Sequence, residues 1–125
     1  MFNAHSPLTP NSTLAPAART ATANGTGVDL KDYIGQAKVI LHSALGTGTT
    51  PTLDVKLQDS DDNSTFADIT GATFTQVTDA AASLQAIGVD VDKVKRYVRA
   101  VATIGGTTPS FTCNCIIVGR KQVAA

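Results

Sequence analysis

Residues Arg96–Gly119, RYVRAVATIGGTTPSFTCNCIIVG, decide the fold. Two runs of β-branched and apolar residues flank a Gly-Gly-Thr-Thr-Pro turn, which reads as one long β-hairpin. In its first run Val98, Ala100, Ala102 and Ile104 share a face, with Tyr97, Arg99, Val101 and Thr103 on the other. The same plan occurs earlier in the chain. GTTPTL at Gly48–Leu53 anticipates GTTPSF at Gly106–Phe111, and the unit Ala37–Gln58, AKVILHSALGTGTTPTLDVKLQ, again has an apolar run on each side of its turn. There Leu53, Val55 and Leu57 alternate with Asp54, Lys56 and Gln58, the period of a half-buried antiparallel strand. Ala37, Val39, Leu41 and Leu45 fall on one face of the preceding run, opposite Lys38 and His42. Two matched hairpins predict the two layers of one antiparallel β-sandwich, jelly-roll-like or immunoglobulin-like, with Leu53, Val55, Leu57, Val98, Ala100 and Ile104 in its core.

Composition supports an all-β chain. The 125 residues suit one domain. All ten acids are Asp, and Thr and Ala occur eighteen times each. Asp and Thr hydrogen-bond local backbone and favour turns, caps and strands over helix interiors, so helix is expected to be minor. Ten basic residues balance ten acidic ones, which argues against a nucleic-acid partner, whose phosphates call for a basic excess. No run of eighteen apolar residues and no charged-then-apolar leader occurs, so neither a membrane span nor a secretory signal is expected; the chain reads as soluble and made in the cytosol.

Residues 1–25 form an expected extended arm ahead of a sandwich domain at 26–125. The arm holds three of the five prolines and only scattered large apolar residues, too few to offset its ordering entropy alone. It is either a tail or a strap on a neighbouring subunit, in which case Phe2, Leu8 and Leu14 are the anchors. Ala18–Thr22 suit a short edge strand and Gly27–Leu30 a brief one. Further strands are expected at Phe66–Gly71, Ala72–Val77 and Leu84–Val89, with at most one helical turn, at Asp79–Ser83 and capped by Asp79. Lys93, Lys95, Arg96, Arg99, Arg120 and Lys121 gather at the base of the second hairpin. They form either a solvated face or, through Arg96 and Arg99, a contact for an acidic protein surface.

Catalytic chemistry is poorly supplied. Asp59, Asp61, Asn63 and Thr65 have the alternate spacing of a calcium loop, but Ser64 and Thr70 stand where such a loop needs Gly and Glu, and a hairpin turn with Asx hydrogen bonds fits better. His5 and His42 have no acid or cysteine spaced to join them on a metal, and the glycine-rich stretches join strands rather than opening a helix onto a phosphate. Six aromatics without Trp make a poor stacking platform. No cofactor, metal or enzymatic activity is expected. Cys113 and Cys115 lie two apart on one strand, their Cβ atoms roughly 6.5–7 Å from each other, against the ~3.5–4.5 Å that a disulfide spans. They read as buried free thiols or as bonds to a neighbouring subunit.

PTLDVKLQDSDDNSTFADITGATFTQV (Pro51–Val77) and VDVDKVKRYVRAVATIGGTTPSFTCNCIIVGRK (Val89–Lys121) together resemble small virion structural proteins of tailed bacteriophages, of the capsid decoration or cement type. The shared features are strand and turn patterns: a strand ending in Gln and Ser-Asp, a Phe-x-Asp-Ile strand, Lys-Arg-Tyr-Val-Arg-Ala, and the Gly-Thr-Thr-Pro-Ser-Phe turn. The Cys-x-Cys pair is outside the pattern. The resemblance implies a β-sandwich that binds and stabilises the exterior of a phage head. Its partner would be the major capsid protein, its localisation the virion, and its state a homo-oligomer, with a trimer favoured. A tail or head-tail structural protein and a carbohydrate- or ligand-binding sandwich module are the other readings.

Overall fold

Tyr97–Lys121, expected to be a hairpin, form a single 25-residue strand in the computed structural model, which describes residues 8–121. Seven strands precede it: β1 (Leu8–Arg19), β2 (Ala23–Asn24), β3 (Val28–Asp29), β4 (Tyr33–Ser43), β5 (Thr47–Ser60), β6 (Ala67–Thr73) and β7 (Ser83–Asp90), so the long strand is β8. No helix occurs among the described residues, and all strand pairs are antiparallel. The fold is the expected all-β sandwich.

Its construction differs from two stacked hairpins. The N-terminal half of β8 pairs with β5, β2 and β3, and its C-terminal half with β1 and β4. The two halves do not pair with each other. They belong to different layers: a front sheet in the order β1, β8, β4, β7 and a back sheet in the order β6, β5, β8, with β2 and β3 on the far side of β8. Both ends of β8 return to one end of the molecule. Leu30 N donates to Arg96 O at 2.8 Å, Tyr33 N donates to Leu30 O at 3.0 Å, and Tyr33 pairs with Lys121. The strand is therefore an arch joining the layers. The first unit behaves likewise, since its arms β4 and β5 lie in different sheets.

The backbone at the two turns and their packing on each other account for the arches. A two-residue hairpin turn of the commonest kind needs positive φ at two adjacent residues. Here the left-handed residues are separated by one: Gly48 (φ 107°) and Thr50 (φ 46°), and again Gly106 (φ 111°) and Thr108 (φ 46°). The two bends lie against each other, with Thr47 opposite Ser110, Thr49 opposite Thr107 and Thr52 opposite Gly105. Exchanging Gly48 for Gly106 carries the first of these pairs onto the last, so the repeat has a local two-fold axis at Thr49 and Thr107. A Cβ on Gly48 would lie 2.5 Å from Thr108 O, and one on Gly106 would lie 2.7 Å from Thr50 O. Each glycine makes room for the other bend's carbonyl.

Between the layers lies one core. The front sheet contributes Leu14, Val39, Leu41, Phe111, Cys113, Cys115 and Ile117, and the back sheet Leu53, Val55, Leu57, Val98, Ala100 and Ala102. Of the residues predicted inward, Leu53, Val55, Leu57, Val98 and Ala100 are buried, and Ile104 packs partly buried against them. Leu45 corrects the expected face: β4 ends at Ser43 and Leu45 is 46% exposed. Asp79–Ser83 is not helical, and β6 stops at Thr73, leaving Val77 in an isolated bridge to Leu53.

The arm also needs correcting. Leu8–Arg19 are strand β1, running along β8 from Leu8 opposite Arg120 to Arg19 opposite Phe111. Leu14 is buried in the core. Thr13 Oγ1 donates to Thr26 O at 2.8 Å and accepts from Ala100 N at 3.0 Å, tying β1 to the back sheet. Apolar content underrated this strand because a backbone ladder stabilises it whatever its side chains. Pro10 and Pro16 are tolerated because β1 is an edge strand, with register shifts at Ser12/Leu14 and Leu14/Ala17. Gly25 is therefore no domain boundary for residues 8–24. Phe2 lies outside the described residues. Of the short strand expected at Ala18–Thr22, only Ala18 and Arg19 are strand, as the end of β1; Thr20–Thr22 connect to β2.

Candidate interaction surface

The two outward faces of the sandwich carry different chemistry. On the back sheet, polar side chains satisfy one another. Lys56 Nζ donates to Asp68 Oδ2 at 3.1 Å, Gln58 Nε2 to Asp68 Oδ1 at 2.9 Å, and Arg99 Nε and Nη2 to Gln58 Oε1 at 3.0 and 2.8 Å. The Arg99 guanidinium stacks 4.0 Å from the centre of the Phe66 ring. Gln76 Nε2 reaches both oxygens of Asp54, at 3.2 and 3.1 Å. The hydrogen bond from Gln58, then that from Lys56, holds the Asp68 carboxyl below its usual range.

Arg96 is engaged too. Its Nε and Nη2 grip Asp29 Oδ1 and Oδ2 at 3.0 and 2.9 Å, a two-pronged pair that lowers the Asp29 pKa. Lys95 N donates to Asp59 Oδ2 at 3.1 Å, and its Nζ lies 3.8 Å from Asp61. The basic residues expected to meet an acidic partner thus have acids and amides of their own chain: Arg96 and Arg99 brace the back sheet.

On the front sheet the outward centre is aliphatic. Ile40 lies opposite Ile116 on one side and Ala86 on the other, and Val118 is the next outward residue on β8. Ser12 and Pro10 of β1 flank Ile116 and Val118. At the margins Leu84 is 69% exposed, Leu8 66% and Ile34 43%. Lys38, directly opposite Val118, and Arg120 lie towards one end and the pair His42 and Asn114 towards the other, and none of the ion pairs among the described residues falls on this face. An antiparallel sheet with one solvated face ordinarily turns polar residues outward. Here Ile40, Ile116 and Val118, each half-buried, form a contiguous aliphatic group instead.

Of the expected anchors, Leu8 belongs to the margin of this face, Leu14 is core, and Phe2 is outside the described residues. Ile40, Ile116 and Val118 escaped the sequence reading. The signal was the unbroken apolar runs Val39–Leu41 and Cys115–Val118, in which both strand faces are apolar.

The acidic loop is a turn organised on one carboxylate. Asp62 Oδ1 accepts from Ser60 Oγ at 2.8 Å and from Ser64 N and Thr65 N at 2.9 Å each. These bonds, that from Thr65 N foremost, hold its pKa down to about 2. Among the described residues no group of three His, Cys, Asp or Glu is placed to hold a metal. Cys113 and Cys115 point into the core as free thiols. Burial pushes both up, Cys115 to about 12, while the guanidinium of Arg19 beside Cys113 works the other way.

No family model matches the sequence, and no curated protein matches it. In fold the chain is similar to several solved structures, three of which follow. One, described as Bacillus endospore appendages that form a novel family of disulfide-linked pili, is 10% identical over 99% of this chain and 96% of that one, with a TM-score of 0.54. A second is the SPBc2 prophage-derived protein YomS, 12% identical over 95% of this chain and 99% of that one, at a TM-score of 0.53. The third is a chain in the structure of infectious bursal disease virus, Gx strain, 10% identical over 96% of this chain but 37% of that one, at a TM-score of 0.54. At such identities the likeness is one of fold.

Proposed function

We propose that this protein is a phage virion structural protein, without enzymatic activity, that decorates the head by laying the front sheet of its sandwich on the shell of major capsid protein. The contrast between the two outward faces carries the reading: the back sheet's charges are paired within the chain, whereas the front sheet offers Ile40, Ile116 and Val118 to a partner. The similarity in fold to a prophage-derived protein, to spore pili and to a viral chain is in keeping with assembly work. So is the balanced charge, which gives the body no general attraction for packaged nucleic acid.

Co-sedimentation with empty capsids tests it. Ile116→Asp, which places a charge at the centre of the front face, is expected to weaken binding at least tenfold, as loss of a central interface residue does. Thr73→Asp, on an exposed back-sheet position opposite Lys56, should bind as the unaltered protein does. If the unaltered protein stays in the supernatant, or Ile116→Asp pellets with the capsids undiminished, the reading is wrong.

A further inference from the structure

An unpaired sheet edge invites another strand, and folded proteins blunt their edges with prolines, bulges, charges or shortness. Three of this protein's edges are blunted. β1 has two prolines and two register shifts, β2 and β3 are two residues long each, and β6 has a register shift against β5 together with Gly71 at φ 78°. β7 has none of these devices. It pairs with β4 through eight consecutive residue pairs, from Gln36 opposite Asp90 to Ser43 opposite Ser83, without a shift. Its sequence SLQAIGVD contains no Pro, Lys or Arg, and its only charge, Asp90, is at the end. β6 runs nearby without pairing to its backbone; just beyond β6, Thr75 N donates to Gln85 Oε1 and Thr75 O accepts from Gln85 Nε2, each at 2.8 Å, so the β7 side chain and not its backbone edge makes that contact. Between β6 and β7 lies an apolar groove of about 240 Å³, lined by Ile69, Ala72, Ile87, Val89 and Val94 among others.

We propose that β7 is the seam of a homodimer, in which the β7 strands of two copies pair antiparallel about a two-fold axis with Ala86 opposite Ala86. The strand is complementary to itself in this register. On the outward face Ala86 meets its own copy and Leu84 meets Gly88, where Lys38 Nζ and Gln36 Oε1 lie 3.6 and 3.4 Å from the place of a Cβ and the Lys38 stem can cover the leucine. On the inward face Gln85 meets Ile87 and Ser83 meets Val89. Asp90 falls opposite Ala82, so no like charges oppose one another. A second copy fits better than a charged partner because β7 has no interior charge for one to recognise. It also fits better than an open chain of copies, because a β7-to-β1 contact would meet Pro10 and Pro16, which donate no hydrogen bond. The front sheets of the two copies then form one eight-stranded sheet. This inference concerns the isolated protein and does not depend on the binding of capsids.

Sedimentation velocity on the full chain across micromolar concentrations is expected to show a species of twice 12.9 kDa. Ala86 is exposed, so Ala86→Lys and Ala86→Asp should each keep the circular dichroism of the unaltered protein while weakening the dimer at least tenfold by like-charge repulsion across the axis. An equimolar mixture of the two should restore it, because Lys then faces Asp. Hydrogen exchange of the unaltered protein is an independent check: protection of the β7 amides should fall on dilution, in step with dissociation. A monomer at all concentrations, a dimer indifferent to both substitutions, folded variants whose mixture stays monomeric, or β7 protection unchanged by dilution would each overturn the proposal.

Discussion

Thr50 and Thr108 each hold φ of 46°, a conformation that costs a branched residue roughly 1–2 kcal/mol. The pairing of the two bends offsets that cost, and neither threonine could be read as left-handed from its neighbours. Cys113 and Cys115 were legible as packed thiols, because their spacing puts both on one face and the neighbouring residues are apolar. Their depth was not. With the thiols 2% and 0% exposed, a bond to a neighbouring subunit requires the core to open, so alkylation of the native protein should be slow and should reach two groups on unfolding. The raised Cys115 pKa has a consequence for stability. Its stabilising contribution is complete below the ordinary thiol value near 9 and is lost as pH rises to about 12, because the unfolded chain releases the proton first. Urea midpoints measured from pH 8 upward should therefore decline, and less steeply in Cys115→Ala.

At the scale of the element, β1 shows what apolar counting misses. Its side chains supply one large core residue, Leu14, but its backbone completes the ladder along the C-terminal half of β8, and Thr13 links the layers. A protein beginning at Gly25 is therefore expected to lose stability. Losing the Leu14 side chain alone costs about 2–5 kcal/mol, and the melting temperature should fall by roughly 10 °C or more, read by thermal denaturation. An unchanged melting temperature would return residues 8–24 to the status of a tail. The element also explains the misread hairpins. The residues around each turn announce strand, turn, strand, but they do not say whether the second strand pairs with the first or passes to the other layer.

For the molecule as a whole, β8 makes the two sheets interdependent. Neither layer keeps its central strand if the other unravels, so unfolding should be a single cooperative transition. Fluorescence of a probe attached on the back sheet and circular dichroism of the whole chain should give coincident urea curves. Separate midpoints would mean that the arch at Gly106 is a hinge between independent layers. Because nearly all pairings join residues distant in sequence, refolding should be slow for a domain of this size, in the millisecond to second range.

By itself the sequence determined the all-strand class, most of the inward rows and the repeat of the Gly-Thr-Thr-Pro turn, because side-chain alternation and turn residues are local properties of the chain. It also contained, in Ile40, Ile116 and Val118, the aliphatic centre of the candidate surface, but period-2 reasoning assigns only one apolar face to a strand. Tertiary structure alone decided which strand pairs with which. The turns became arches because each bend packs on its copy 58 residues away. The first strand joined the body because a ladder depends on the partner's backbone rather than on its own side chains. Arg96 and Arg99 have partners within the chain because Asp29, Gln58 and Phe66, distant in sequence, are brought beside them. Long-range pairing is settled by the free energy of the whole assembly, and no window of local sequence contains it.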